Sequence, residues 1–515
     1  MESKQKKELV KFFLEKGFLV SPELLELEKD YQDTKLNQDA LVLSKDALEF
    51  IDKKDVDWKG FELSRALFEK GNKPAYEKFI EFLKEKEADE YKKEENKDVK
   101  IIFSYEAESK KRDIQDFVAL FNARYKALEK MMQGRRELQG LMSINRIRNK
   151  KDRGAVSFIG MIKDKSTTKN MNIILEVEDP SGWIKVLVNK NRPDIYNLAK
   201  NIVYDEVIGI SGMSAENIVF ANNIIWPDVP VSKELKKASE EAYAIVLTDL
   251  HVGSINFLPD ELNQFIEWIN GQLGNESQKE VARKVKYCFI AGDLIDGVGI
   301  YPGQEEELEI MDIYKQYEIC AEWLKKIPSN IHLIVCPGNH DAMRIAEPQP
   351  VLYRDFAKPI WDLPNVTMIS NPGIVNIHSS DGFPGFDVLI YHGYSFDYYV
   401  ANVDSIRNQG GYDRADLIMQ FLLQRRHLAP THTSTLYLPE ISKDPLVIEK
   451  IPDFFITGHI HKSSAATYRG ITLICGSCWQ SKTSFQVKVG HDPEPARVPI
   501  INLQTREVKM LKFGK

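Results

Sequence analysis

Residues 244–254, AIVLTDLHVGS, decide how the chain is read. The apolar run from Tyr243 to Leu247 predicts a buried strand, and it delivers Asp249 and His251 to the loop at its carboxyl end. The same grammar recurs in YCFIAGDLID (Asp293), IHLIVCPGNHD (Asn339, His340, Asp341), DVLIYHGYS (His392) and DFFITGHIHKS (His459, His461). Each short apolar run ends in Gly, Asp, Asn or His. In open α/β sheets, ligands bind beyond the carboxyl ends of the strands. The pattern predicts five strands unloading oxygen and imidazole donors at one rim, which is a metal site.

The donor chemistry narrows the ion. Asp and Asn oxygens with several imidazoles suit Mn, Fe or Zn, and no cysteine stands at a ligand position. Asp249, His251, Asp293, Asn339, His392, His459 and His461 are too many for one ion. They suit two divalent ions sharing a bridging carboxylate, about 3.5–4 Å apart, which clamp the attacking and leaving oxygens of a displacement. Manganese is the first expectation, with Fe, Zn or Mg as alternatives. Taken singly, an Asp after a strand is usually a turn or cap, and a single His is more often a satisfied polar group. All ten histidines follow residue 250, however, and the motifs recur in one pattern. His332, His378, His427 and His432 are left as surface or loop groups, with the tail residue His491 set apart.

Asp-x-His, Gly-Asp, Gly-Asn-His-Asp, His-Gly and Gly-His-x-His, in that order, resemble the calcineurin-like metallophosphoesterases. The resemblance implies that Asp249, His251, Asp293 and His461 hold one metal. It assigns Asp293, Asn339, His392 and His459 to the other, with Asp293 bridging. It makes His340 the group facing the scissile phosphate, oriented by Asp341.

The chain has 515 residues, enough for several domains, and 43% hydrophobic with 28% charged residues suits a globular protein. A net charge of −7 argues against gripping nucleic acid by bulk charge. No run of eighteen apolar residues predicts a membrane span. Five cysteines, an odd number, do not suggest a disulfide framework, so a reducing compartment is expected. Cys475 and Cys478 form a C-x-x-C after an apolar strand-like run, where a redox pair would open a helix.

Four regions are predicted, giving an α/β multidomain chain. Residues 1–83 carry helical spacing (Leu9, Phe12, Phe13, Phe18, then Leu63, Leu67, Phe79, Phe82) and predict a small helical domain. Residues 84–142 combine a charged linker with an amphipathic helix. Lys84 to Asp98 holds twelve charged residues among fifteen, and Phe117, Leu120, Phe121, Tyr125 and Leu128 share one face of the predicted helix. A basic patch, Arg146, Arg148, Lys150, Lys151 and Arg153, comes next. Residues 143–232 hold five short strands, with the turn Asp179-Pro180-Ser181-Gly182, and suit an OB-type barrel or another small barrel or sandwich. Residues 242–515 form the phosphoesterase domain, a two-sheet α/β sandwich.

Among the calcineurin-like families, protein phosphatases carry Gly-Asp-x-Val-Asp-Arg-Gly and Gly-Asn-His-Glu, unlike GDLIDGVG and GNHD here. Barrel followed by phosphoesterase resembles the B-subunits of replicative DNA polymerases. With the metal ligands kept, the pattern is similar to the small subunits of archaeal family D polymerases, as are GIYPGQEEEL and RRHLAP. That resemblance implies a proofreading 3′–5′ exonuclease acting on single-stranded 3′ ends. Its partner would be a large catalytic polymerase subunit, and its place the cytoplasm of an archaeal cell, at the nucleoid. The alternatives are a free-standing repair nuclease or phosphodiesterase, and a catalytically silent structural subunit. Basic residues in the barrel (Lys163, Lys165, Lys169, Lys185, Lys190, Arg192) are scattered, and Trp183 follows a tight turn with no basic cluster expected around it. The barrel is therefore expected to dock on the phosphoesterase and seat the larger subunit. Arg425 and Arg426 are the expected local phosphate contacts.

Overall fold

The computed structural model describes residues 99–106 and 111–514, with two short strands, β1 (Leu19–Val20) and β2 (Val42–Leu43). The chain divides into two compact units, Met1–Lys97 and Asp98–Lys515. In the first, β1 and β2 pair in parallel, a pairing that the helical spacing of residues 1–83 does not anticipate. The rest of that helical expectation, and the charged run Lys84–Asp98, lie outside the described residues.

The second unit opens with β3 (Val99–Ser104). Then come β4 (Gly154–Thr167), β5 (Ile173–Asp179), β6 (Gly182–Val188), β7 (Val207–Ala215) and β8 (Ile218–Ile225). These five close into a barrel in the order β4-β5-β6-β8-β7. All its ladders are antiparallel except β6·β8. The β5–β6 turn forms as the sequence dictates: the Asp179 carboxylate accepts from the Ser181 and Gly182 amides at 2.7 and 3.1 Å. A helix, Pro193–Lys200, separates the third and fourth barrel strands and has no counterpart in the sequence reading.

After the barrel come β9 (Tyr243–Leu247), β10 (Val285–Ala291), β11 (His332–Cys336), β12 (Val366–Met368), β13 (Gly373–Ile377) and β14 (Phe386–Ile390). The last strands are β15 (Phe454–Thr457), β16 (Ser464–Tyr468), β17 (Ile471–Cys475), β18 (Arg497–Asn502) and β19 (Val508–Lys512). They build two six-stranded sheets, ordered β12-β11-β10-β9-β18-β19 and β16-β17-β15-β14-β13-β3.

Period-two alternation assigns each strand's faces. In β9, Ala244 and Val246 enter the core shared with Val388, Ile390 and Ile456 of the second sheet. Ile245 and Leu247 face the helices on the outside, with Phe265, Trp268 and Tyr317. The second sheet buries its other face under Phe396, Tyr399, Ile418 and Leu422. The layers run helix, sheet, sheet, helix. Strands buried on both faces explain the unbroken apolar runs in the sequence.

Two expectations need correction. The sequence assigns the residues of β3 to the linker and helix region, but β3 pairs antiparallel with β13 at the edge of the second sheet. The helix after it, Ile114–Met132, is capped by Asp113 and turns Leu120, Tyr125 and Leu128 inward as expected. It also buries Arg124, which donates to Asp444 at 2.6 Å and to the Pro430 carbonyl at 2.7 Å. Arg425 and Arg426 are the second correction. Both are buried. Arg425 ion-pairs with Glu206 of the barrel and donates to the Asn201 carbonyl at 2.8 Å. Arg426 donates to the Ile448 and Glu449 carbonyls at 2.8 and 2.7 Å. Arg425 ties the barrel to the phosphoesterase, Arg426 braces a loop within the phosphoesterase, and neither is available to phosphate.

Candidate metal centre

Strands β9, β10 and β11 run parallel in one sheet, and β14 and β15 parallel in the other. Their carboxyl ends meet at one rim. Asp249 and His251 follow β9, Asp293 follows β10, Asn339 follows β11, His392 follows β14, and His459 and His461 follow β15. Asp249, His251, Asp293, His459 and His461 take positive φ, between 50° and 72°. For non-glycine residues this conformation is sparsely populated, and such positions gather at functional sites. Each donor is thereby bent off its strand axis back over the rim.

The glycines of the motifs are required by closeness. A Cβ on Gly338 would fall 2.2 Å from Asp293 Oδ1, and one on Gly458 would fall 2.5 Å from Asp249 Oδ2. The first and last motifs interlock as well, because the His459 amide donates to the Asp249 carboxylate at 3.1 Å.

Among the described residues, three groups of donors have ligand atoms within 4.8 Å of one another: Asp249, His251 and His461 first, Asp293, His392 and His459 second, and His251 again with Asp296 and His340 third. In the first, His251 Nε2 lies 3.0 Å from His461 Nε2, and His461 Nε2 lies 3.4 Å from Asp249 Oδ1. In the second, His392 Nε2 lies 3.2 Å from Asp293 Oδ2 and 3.0 Å from Asn339 Oδ1. Asp293 Oδ2 is also 3.9 Å from His251 Nε2, so this carboxylate stands between these two groups.

Each imidazole uses its other nitrogen elsewhere. His251 Nδ1 meets the Asp296 carboxylate at 3.0 Å, and His392 Nδ1 donates to the Ala291 carbonyl at 2.8 Å. His459 Nε2 meets Asp397 at 3.0 Å, and His461 Nδ1 meets Gln486 at 2.8 Å. Outer partners of this kind orient metal-binding imidazoles. Oxygen and nitrogen donors that are buried or partly buried, each imidazole pinned from behind, fit divalent cations.

The electrostatics agree with that fit. Burial opposes the charge on Asp293, yet the His392 and His340 imidazoles hold its carboxyl well below the usual range. Burial likewise opposes the proton on His392, but Asp293 pushes it up to about 10. Ligand binding requires those protons to leave, so metal affinity falls with acidity.

His340 lies beside the donors and lines the same cavity, about 480 Å³, with Tyr301, Tyr394 and Tyr412. Its Nδ1 donates to the Asp296 main-chain carbonyl at 2.8 Å, which leaves Nε2 for the cavity. The expectation that Asp341 orients this ring is not met, because the geometry gives Asp341 other partners. Its carboxylate accepts from the Gly338 amide at 2.8 Å and from the Tyr317 hydroxyl at 3.2 Å. It braces the loop, and Asp296 holds His340.

Residues 244–463 match the family described as calcineurin-like phosphoesterase. The DNA polymerase II small subunit of Methanothermobacter thermautotrophicus is 39% identical over 402 residues, 78% of this chain and 80% of that protein. The DNA polymerase II small subunits of Pyrococcus furiosus and Archaeoglobus fulgidus are 38% and 36% identical, each over 78% of this chain. The matches cover 64% and 78% of those two proteins, so the chain spans less than two thirds of the Pyrococcus subunit.

The chain belongs to the archaeal DNA polymerase II small-subunit family.

Within this small subunit, several groups at the site escape a reading of sequence alone. Asp296 closes the GDLID stretch, three residues after Asp293, and that spacing is its one signal. It is held by Gln304 at 3.1 Å and Gln480 at 3.0 Å. Gln304 belongs to the GIYPGQEEEL stretch, so that stretch serves the site by fixing Asp296. Asp397 and Gln486, each in the first turn of a short helix, and Gln480, from a loop, have no motif to mark them. His427, expected as a surface or loop group, is fully buried beside Asp444 at 2.9 Å, and His332 and His491 are also buried. All five cysteines are free and buried, and burial pushes the Cys475 and Cys478 thiols up to about 12. A redox role requires the opposite shift.

Proposed function

We propose that the chain is the proofreading 3′–5′ exonuclease subunit of a replicative DNA polymerase. It would pair with a large catalytic subunit and hydrolyse phosphodiesters with two divalent ions. The observation that carries this reading is the convergence of two donor groups on Asp293, under a cavity bordered by His340. The family names supply the polymerase context, since the matched relatives are called small subunits.

In this reading Asp249, His251, Asp293 and His461 would hold one ion, and Asp293, Asn339, His392 and His459 the other. Two divalent ions held there would supply Lewis-acid charge and would lower the pKa of a water toward neutrality. The chain's own groups do the rest. His340 Nε2, fixed by the Asp296 carbonyl, meets the scissile phosphate. Tyr301, Tyr394 and Tyr412 wall a space suited to one unstacked nucleotide. Asp341 keeps the Gly338–Asp341 loop in register.

The barrel, residues 143–232, is read as OB type, because its third and fifth strands close in parallel. Packed on the phosphoesterase through Glu206 and Arg425, it would also help seat the large subunit. Retention of the complete donor set favours an active subunit over a silent one.

The test uses the full chain, manganese and a 5′-labelled strand ending in a 3′ mismatch. A ladder shortening from the 3′ end supports the reading. Internal cuts alone, or no cleavage, would contradict it.

A further inference from the structure

The barrel carries a surface that the metal centre does not use. Trp183, the second residue of β6 at the β5–β6 hairpin, is 42% exposed, a large apolar ring left in water. The expectation that it lacks basic neighbours fails in three dimensions. The Arg148 guanidinium lies 6.0 Å and the Lys163 ammonium 5.7 Å from the centre of its ring. Both distances are in the cation–π range.

Arg148 reaches Trp183 because the short helix Ile144–Arg148 is fastened to the hairpin. The Ile144 amide donates to the Asp179 carboxylate at 2.8 Å, and the Asn145 amide to the Ser181 hydroxyl at 3.0 Å. Ile144 and Ile147 sink into the barrel core. The helix therefore holds Arg146 and Arg148 outward and leads into Lys150, Lys151 and Arg153, all exposed.

Charge at this place opposes that of the chain. Residues 144–153 hold five basic side chains and one carboxylate, Asp152, in a protein of net charge −7. Neighbouring Lys185 is paired with Glu176 at 3.7 Å. Among the described residues, Arg146, Arg148, Lys150, Lys151, Arg153 and Lys163 have no such carboxylate partner. Glu178 stands opposite Trp183 in the ladder and, with Asp152, reduces the patch's charge without reversing it.

We infer that this patch binds single-stranded nucleic acid, with one base stacked on Trp183 and the flanking phosphates met by Arg148, Lys163 and the basic run. An exposed aromatic platform among unpaired cations is the device that sequence-tolerant strand binding uses. An acidic protein segment would satisfy the cations but leave the indole without a stacking partner. The site is separate from the metal centre, and none of its residues lines that cavity.

The experiment titrates labelled oligo(dT) and oligo(U) against the full chain in chelator, so that the metal centre carries no ion. Anisotropy is read across a range of salt. Trp183→Ala should weaken binding by about five- to a hundredfold, the worth of one stacked base. Trp183→Phe should recover part of it. Arg148→Glu should weaken binding and flatten the salt dependence by at least one phosphate contact, about 0.7 in slope for a single strand. Equal affinity for the two oligonucleotides marks the platform as sugar-tolerant, and a preference for one names the strand it takes. Affinity unchanged in both Trp183→Ala and Arg148→Glu would overturn the inference. So would duplex bound as tightly as single strand, or displacement of the oligonucleotide by polyglutamate at matched charge.

Discussion

At the scale of single residues, the metal centre is built from backbone that ordinary residues avoid. Asp249, His251, Asp293, His459 and His461 each hold positive φ, at a cost of order 1–3 kcal/mol apiece. The surrounding sheets enforce it, and the donors converge as a result. His340 and Asp296 separate two roles within a few ångströms. His340→Ala should keep both ions and lose about 10²–10⁴-fold in rate, the worth of one positioned proton-transfer or charge-stabilising group. Asp296→Asn should instead weaken metal binding about 10–100-fold, because His251 loses its orienting partner. Chelator competition and turnover on the same preparations check both. A metal-depleted His340 variant would make that residue a ligand.

His427 gives a pH prediction away from the metals. Burial and nearby Arg124 lower it to about 4, against about 6.5 in an unfolded chain. Its folded value is depressed, so stability is complete above about 6.5 and is lost as pH falls toward 4. The loss is roughly 3 kcal/mol at most. Denaturation midpoints across that window should fall in the parent and fall less in His427→Gln. Equal slopes would place the acid sensitivity elsewhere.

These residues also mark how far the sequence can be read. The donors are legible because each follows an apolar run that can only be a buried strand. Arg425, Arg426 and His427 are not, because adjacent basic groups look solvated until their partners are known. Of those partners, Glu206 comes from the barrel, and Ile448, Glu449 and Asp444 come from a loop that the local pattern does not link to them.

Among elements, β3 shows the same limit. VKIIFS follows a charged run and has no neighbouring strand, and its partner β13 lies far along the chain. Local pattern carries no trace of such an edge. The barrel strands are legible from alternation and from the Asp179 turn, whereas their attachment to the sheets is not. That attachment is testable. Arg425→Ala leaves Glu206 buried without its ion partner and should cost about 3–5 kcal/mol. An apolar double replacement, Arg425→Met with Glu206→Leu, should recover most of it. Denaturant midpoints measure both. A loss below about 1 kcal/mol would be that of an exposed pair and would contradict the buried contact.

For the whole molecule, the division of labour follows from where charge and donors sit. Under the proposed function, an acidic chain with a complete donor set would depend on local features and on a partner to bring it a strand. The family membership supplies that context, and the two sheets supply the rim. In the proposed mechanism Asp293 would be shared by two ions, and both would serve cleavage. The most direct measurement is elemental analysis joined to turnover on one preparation of Asp293→Asn, beside the parent. The parent should hold two ions per chain and shorten a mismatched 3′ end. The variant should hold at most one and show essentially no cleavage. Two ions still bound with cleavage intact would contradict the bridging carboxylate and the mechanism built on it.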